Sequence, residues 1–382
     1  MAERLVARAL ELCTEDGTGA RPELWPKPDT VTVGIRSDGH EFEGIQFAPA
    51  SPEGKTTELS YVEAIAAVTG RQMETDDRVF VAGEEVGHMG GGAYKATKGL
   101  SEIYPGRILD TPISEAGFSG FGCGAAMAGL RPIIEIMFPD FVLVAADQVL
   151  NHVGKLRHMY GGEAPIPIVF RTRCAIGFGY GGQHSGDPVG IFALFPGWRI
   201  VAPVTPYDYI GMFNSAMRCE DPVLVLEHAS LYDLRGEVPR GDLDYLLPLD
   251  EARVVKPGDK VTVLAYSAMV TRIEALAKDD DAVELIDLRA LDMASMDFDA
   301  IGASLQKTGA LVIVDEATRS GSVGAMIADQ CQRRFFDYLD GPILRVTGAD
   351  APKPVSRVLE QAAIPSDSEI LGVIARAARR EE

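Results

Sequence analysis

The stretch DTPISEAGFSGFGCGAAMAG, residues 110–129, places one carboxylate, Glu115, between an apolar run and a segment made largely of glycine and alanine. Ser114 is a suitable N-cap, so Glu115 is predicted to be the first residue of a helix. A carboxylate at that position often does no more than complement the positive end of the helix dipole. The composition of the helix behind it favours a second interpretation.

A stripe of small residues follows one face of this predicted helix. It consists of Gly117, Gly120, Gly124 and Ala128. Each interior glycine costs about 1 kcal/mol relative to alanine, so we expect a helix, a second subunit or a ligand to approach the backbone closely there. A carboxylate in that setting would lose water and its pKa would rise, as suits a group that exchanges protons near neutral pH.

Short apolar runs alternate with helical patterns on both sides of this stretch. The runs are VFVAGEEV, RILDTPIS, RPIIEIMF, PIPIVFRT, WRIVAPV and PVLVLEH, and the helical patterns cover 116–129, 141–160 and 206–218. Near-continuous apolar strands that alternate with helices indicate a parallel sheet covered on both faces.

The same alternation returns in the second half of the chain. Its strand-like runs are KVTVLAY, AVELIDLRAL, ALVIVDEA and PILRVTG, with helices near 268–278, 321–338 and 368–380. A polar segment rich in proline and glycine separates the halves. We therefore predict two parallel or mostly parallel α/β sandwich domains, 58–230 and 257–382, joined by a linker over 231–256.

Residues 1–57 lack the alternation of apolar runs and helical patterns seen in the rest of the chain, and they are predicted to be an N-terminal extension. A short helical segment precedes TVTVGIRSDGHEFEGIQF, in which the Asp-Gly pair predicts a hairpin turn. The sequence gives no indication of what this extension does.

Composition limits the classes of partner. The 382 residues include 36 Lys and Arg against 56 Asp and Glu, a net charge of −20, which argues against nucleic acid and anionic membranes as partners. The five cysteines have no paired spacing and are expected to be free thiols in a reducing compartment. No apolar run reaches the roughly 18 residues of a membrane span, so we expect a cytoplasmic protein.

His184 is the histidine best placed for chemistry. It lies in GFGYGGQHSGDP (177–188), just beyond the run PIPIVFRT, and loops beyond strand carboxyl ends usually bind the ligands of α/β sheets. A lone loop histidine is nevertheless more often structural. No metal-ligand spacing links the other histidines, and no GxSxG motif is present.

Four segments together resemble a known family. They are DTPISEAGFSGFGCGAAMAGLRP, EIMFPDFVLVAADQVLNHVGKLRHMYGG, PIPIVFRT with the later QHS, and RVTGADAPKP. In this order and spacing, from about residue 58 to the end, the chain resembles the β subunit of thiamine-diphosphate-dependent 2-oxoacid dehydrogenases. That family includes the pyruvate, branched-chain 2-oxoacid and acetoin dehydrogenases.

The resemblance implies a transketolase-like pyrimidine-binding domain followed by a transketolase C-terminal-like domain. It implies an α₂β₂ heterotetramer that binds thiamine diphosphate between α and β and faces a dihydrolipoyl acyltransferase core. Glu115 matches the glutamate that hydrogen-bonds the pyrimidine ring, and Phe141 matches the aromatic residue that packs on it. His184 matches the histidine implicated in reductive acylation of the lipoyl group.

The resemblance also bears on metal ions. Some members hold potassium at positions that correspond here to Ile168, Ala216, Met217, Cys219 and Asp221, but the SAMRCEDP stretch departs from their pattern. Magnesium and the diphosphate are held in thiamine enzymes by Gly-Asp-Gly and a later Asn. This chain has no Gly-Asp-Gly and two asparagines only, so an α subunit is expected to supply that site.

Two other functions stay open at this point. The chain could be half of a split transketolase-like ketol transferase, although its QHS loop and DQV helix resemble the dehydrogenases more. It could also be a non-catalytic scaffold that retains the fold, against which Glu115 and Phe141 both argue.

Overall fold

The computed structural model describes residues 2–15, 19–21, 27 and 30–380. Its first large sheet has six strands, all parallel, in the order β5-β4-β6-β7-β9-β8. The strands are Val79–Gly83 (β4), Ile108–Asp110 (β5), Arg131–Ile136 (β6), Val169–Cys174 (β7), Arg199–Val201 (β8) and Val223–His228 (β9). The apolar runs that predicted a parallel sheet are therefore its strands.

Helices cover both faces of this sheet. They are Tyr61–Thr75 (α2), Leu100–Ile103 (α3), Glu115–Met127 (α4), Leu156–Met159 (α5), Val189–Phe192 (α6) and Pro206–Arg218 (α7). Helices α2 and α7 begin with capping boxes, Ser60 with Glu63 and Thr205 with Asp208, which satisfy free backbone N–H groups at the helix start.

The helix predicted over 141–160 is broken into three pieces. A 3₁₀ turn covers Pro139–Leu143, a π-helical segment covers Asp147–Val153, and α5 follows. The Gly154 N–H donates to the Val149 carbonyl five residues earlier, at 3.2 Å. The indole N–H of Trp198 donates to the same carbonyl, also at 3.2 Å, so a side chain distant in sequence stabilises the break.

The second sheet has five strands in the order β11-β13-β12-β14-β15. They are Arg253–Lys256 (β11), Val261–Ala265 (β12), Val283–Asp287 (β13), Leu311–Thr318 (β14) and Leu344–Gly348 (β15). The edge strand β11 is antiparallel and the others are parallel. The helices are Ala268–Leu276 (α8), Phe298–Thr308 (α9), Val323–Phe335 (α10), Arg357–Ala362 (α11) and Asp367–Ala378 (α12). Two mostly parallel α/β units were predicted, and this fold class is confirmed.

The segment 231–256, predicted to be a linker, contains ordered structure. Arg235–Pro239 (β10) pairs antiparallel with Thr56–Ser60 (β3). The Asn214 side-chain amide then donates to the carbonyls of Leu243 and Tyr245, at 2.7 and 2.8 Å. The segment therefore lies along α7 and is held by backbone pairing that its polar composition did not indicate.

The N-terminal extension contains helix Ala2–Cys13 (α1) and a short pair of strands, Thr14–Glu15 (β1) and Gly19–Ala20 (β2). The hairpin predicted over residues 30–47 is wrong, because this stretch consists of turns with a 3₁₀ turn at His40–Phe42. Its polar groups bind the rest of the chain instead. Arg36 pairs with Asp292 at 2.7 Å, and the Ser37 N–H donates to Asp221 at 2.7 Å. Tertiary contacts therefore override the local alternation.

All five cysteines are free; Cys13 is exposed and the other four are buried. Among the described residues, no helix is long and apolar enough to cross a membrane.

Candidate active site

Four residues of interest lie at one edge of the six-stranded sheet, each just beyond the carboxyl end of a strand. Glu84 follows β4, Glu115 follows β5, Phe141 follows β6, and His184 follows β7. These strands are neighbours in the order β5-β4-β6-β7. Ligands of parallel α/β sheets bind at this edge, so the fold collects the three predicted site residues on one side of the sheet.

Glu115 is the first residue of α4, as predicted, and only 5% of it is exposed. Ser114 is the N-cap residue, but its side chain does not accept a capping hydrogen bond. Apart from its interaction with Glu84, the Glu115 carboxylate has no hydrogen-bond partner among the described residues. Its acceptor capacity is therefore available to a bound molecule.

Glu84 was missed by the sequence reasoning and forms a carboxyl pair with Glu115. It is 8% exposed, and its Oε1 is buried without a hydrogen-bond partner among the described residues. Burial, and after it the charge of Glu115, raise the pKa of Glu84 to about 7. Two close carboxyls in a dry environment hold a proton between them more readily than either would alone. The strand-edge rule applied to VFVAGEEV could have found this residue.

A buried ionic network lies next to this pair. Arg171 of β7 donates to Glu135 at 3.1 Å and to Glu227 at 2.7 and 3.1 Å. Burial raises the pKa of Glu135, while the Arg171 charge opposes that rise. Because both carboxylates are bonded to Arg171, the network is internally satisfied, and it fixes strands β6, β7 and β9 relative to one another.

Phe141 and His184, which the sequence placed 43 positions apart, are in contact, with ring centroids 5.2 Å apart. Phe138 contacts both rings, at 5.7 Å from Phe141 and 4.8 Å from His184. All three pairs meet edge to face, the arrangement that aromatic quadrupoles favour. Phe138 was not predicted, and nothing in its local pattern distinguishes it from a core residue.

The loop that carries His184 is held by the second half of the chain. The fully buried Glu360 accepts from the N–H groups of Gly177 and Gly179, at 2.9 and 2.7 Å. The hydroxyl of Tyr266 donates to Asp187 at 2.7 Å, on the other side of the histidine. The position of His184 therefore depends on residues from the five-stranded unit.

The small-residue stripe of α4 is closely approached at two points within this chain. A Cβ at Gly117 would lie 2.7 Å from the Ser114 hydroxyl oxygen. A Cβ at Gly120 would lie 2.8 Å from the Gln148 side chain, whereas one at Gly124 would meet nothing within 4 Å. The closest packing involves Gly122 instead, where a Cβ would lie 2.6 Å from Ile134. The approach of a second subunit or ligand to the stripe stays a prediction.

The residues expected to hold potassium lie at the opposite edge of the sheet. Arg131 donates to the carbonyls of Met217 and Cys219, at 2.8 and 2.9 Å. Arg199 donates to the Asp221 carboxylate at 2.9 Å.

The Ile168 carbonyl accepts from Val223 at 3.0 Å, and Ala216 is buried in α7. Arginine charges therefore already occupy much of this cluster, and its residues do not fit an additional cation.

Two groups of side chains among the described residues have a metal-like arrangement. They are Asp38 with His40 and Glu41, and Glu41 with Cys219 and Asp221. Both involve the N-terminal extension and lie away from Glu115. Within the described part of the chain, the edge that carries Glu115 therefore offers no such metal cluster.

The fold and this edge define a protein of the transketolase type. Residues 57–235 match the transketolase pyrimidine-binding domain, and residues 250–370 match the transketolase C-terminal domain. A split-gene transketolase in an inactive β4 tetramer has the same fold, with a TM-score of 0.67 at 16% identity over 85% of this chain and 99% of that one.

Curated relatives define the family more narrowly. The pyruvate dehydrogenase E1 component subunit beta of Gracilaria tenuistipitata var. liui is 40% identical over 83% of this chain and 98% of its own length. The mitochondrial subunit beta of Dictyostelium discoideum is 39% identical over 86% of this chain and 93% of its own. The chain belongs to this family and is a β subunit of a thiamine-diphosphate-dependent 2-oxoacid dehydrogenase.

Proposed function

We propose that this chain forms an α₂β₂ heterotetramer with an α subunit and contributes Glu115, Phe141 and His184 to a shared active site. The observation that best supports this proposal is the buried Glu84–Glu115 pair, which lies at the same sheet edge as the Phe141–His184 contact. Among the described residues, neither of these carboxyls forms an ion pair with a basic side chain.

The residues at this edge fit the aminopyrimidine of thiamine diphosphate. The Glu115 carboxylate lacks another hydrogen-bond partner, and the Phe141 ring is only partly buried and so free to pack on a second ring. When bound, the cofactor would supply the electron sink for decarboxylation. The chain's own contribution is to hold a carboxyl group against the pyrimidine ring nitrogen and to keep water away from it.

Glu84 and Glu115 are expected to act together in proton transfer. Because the pKa of Glu84 is about 7, Glu84 holds a proton during part of the time near neutral pH and can share it with Glu115. Glu115 would then exchange a proton with the ring nitrogen. His184, whose ring contacts that of Phe141, would serve the acyl transfer to a lipoyl group of an acyltransferase core.

An α partner is part of the proposal because this chain lacks the Gly-Asp-Gly motif that holds magnesium and diphosphate. Pyruvate is the first substrate to test, since the relatives carry that substrate in their names. Acetoin is the alternative, and the cytoplasmic location stays a prediction.

The proposal is tested by purifying tagged chain together with its α partner and replacing Glu115 by glutamine. We expect Glu115→Gln to leave the tetramer assembled and to lower the rate of pyruvate decarboxylation at least about 100-fold, because the carboxyl–ring proton exchange is lost. Glu274→Gln, on the exposed face of α8, is the control and should retain full rate. Near-normal turnover by Glu115→Gln would overturn the assignment.

A split transketolase half is the second candidate and has to be excluded by assay, because a split-gene transketolase shares this fold. Ketol transfer between sugar phosphates by the purified complex, without 2-oxoacid decarboxylation, would support it. Recovery of this chain without an α partner and without either activity would instead support a scaffold.

A further inference from the structure

Arg173 is a buried guanidinium without a carboxylate hydrogen bond. It is 8% exposed, and its Nε and Nη2 have no hydrogen-bond partner among the described residues. Arg171, two positions earlier on the same face of β7, bonds both Glu135 and Glu227. The Tyr94 hydroxyl interacts with this guanidinium, but Nε and Nη2 remain buried without an acceptor, which is costly and favours an acceptor supplied by a bound molecule.

Aromatic rings surround the Arg173 side chain. Its guanidinium carbon lies 3.1 Å from the centroid of Tyr94, 5.2 Å from Tyr232 and 5.8 Å from Phe138. Rings of this kind stabilise the cation through their faces but offer no bidentate acceptor. The Glu135 carboxylate is close enough to sense the Arg173 charge, yet its hydrogen bond goes to Arg171.

Arg173 also lies next to the proposed active site. It is the penultimate residue of β7, at the carboxyl edge where Glu84 and Glu115 lie. Phe138 separates it from His184, whose ring centroid is 4.8 Å from that of Phe138. A small molecule that contacts Phe141 and His184 is therefore separated from the Arg173 guanidinium by the Phe138 ring alone.

We infer that Arg173 binds a carboxylate of the substrate and thereby selects a 2-oxoacid over a neutral substrate such as acetoin. The planar guanidinium can donate two parallel hydrogen bonds to one carboxylate, from the nitrogens that are now unpartnered. The aromatic surroundings exclude water and strengthen that interaction. Arg173 is thus a substrate-binding residue for the anionic group. This inference rests on the function proposed above.

The test compares Arg173→Met and Arg173→Lys with the unaltered chain, each purified as the complex with the α partner. Rates are measured with an artificial electron acceptor against pyruvate, 2-oxobutyrate, 2-oxoisovalerate, 2-oxoglutarate and acetoin. We expect Arg173→Met to raise the KM of the preferred 2-oxoacid by about 10- to 100-fold with a smaller change in kcat. Activity toward acetoin should change less than about twofold, and Arg173→Lys should be intermediate because its ammonium lacks the fork.

Arg131→Met is the matched control, since Arg131 is a partly buried arginine at the opposite end of the sheet. It should lower thermal stability without changing the KM of the 2-oxoacid. If Arg173→Met does not fold, the lysine variant carries the test.

Equal changes in KM for the 2-oxoacid and acetoin, or no change for either, would overturn the role of Arg173 while leaving the proposed function intact. Acetoin as the preferred substrate of the unaltered complex would also overturn it. If the unaltered complex acts on none of these compounds, the proposed function itself fails.

Discussion

Replacing Glu84 by glutamine should remove a specific part of the pH dependence of stability. Glutamine has the shape of a protonated glutamate, so the variant mimics the neutral form at every pH. In the folded protein the pKa of Glu84 is about 7, against an ordinary value of 4.5. Folding therefore binds a proton at this position between these two pH values.

The sign follows from this shift. Because the folded state holds the proton more tightly, its contribution to stability is fully present below about pH 4.5 and is lost as the pH rises through about 7. The shift corresponds to about 3 kcal/mol of unfolding free energy. Relative to the unaltered chain, Glu84→Gln should thus be nearly neutral at pH 4.5 and more stable by up to about 3 kcal/mol at pH 8.

The assay is urea unfolding of both chains at half-unit steps from pH 4.5 to 8, read as the difference in unfolding free energy. Other groups with a raised pKa, such as Asp287 and Asp315, are present in both chains and cancel in this difference. Glu102→Gln, at an exposed glutamate of α3, is the control and should show a flat difference. Parallel stability curves for Glu84→Gln and the unaltered chain would refute the reasoning about the carboxyl pair.

Two further variants test the loop beyond β7. His184→Ala should slow transfer to a lipoyl acceptor more than it slows decarboxylation measured with an artificial oxidant, and equal losses in both assays would count against that role. Glu360→Gln should lose one of its two hydrogen bonds to Gly177 and Gly179 and cost about 2 kcal/mol of unfolding free energy. Amide hydrogen exchange should then become faster over residues 177–186. Unchanged protection there would contradict the conclusion that Glu360 holds this loop in place.

The strands of both sheets were readable because each is a near-continuous apolar run bounded by polar turns. Helix α7 matches its predicted range, 206–218, because Thr205, Pro206 and Asp208 mark its start locally. Local signals of this kind do not depend on distant residues.

The features that local sequence did not indicate share a different cause. The predicted hairpin over 30–47 is replaced by turns because Arg36 and Ser37 bind acidic side chains far along the chain. The helix predicted over 141–160 breaks where the Trp198 indole reaches the Val149 carbonyl. The segment over 231–256 contains a strand because β3 is available to pair with it. No local window of sequence contains these partners.

The sequence by itself determined the two α/β units, the family, and the candidates Glu115, Phe141 and His184, because apolar periodicity and ordered motifs are properties of the chain. The tertiary structure decided which residues surround them. It paired Glu115 with Glu84, placed His184 against Phe141 and left Arg173 without an acceptor. Parallel packing brings the carboxyl ends of different strands together at one edge, and only there do burial and neighbouring charge set the proton affinity of a side chain.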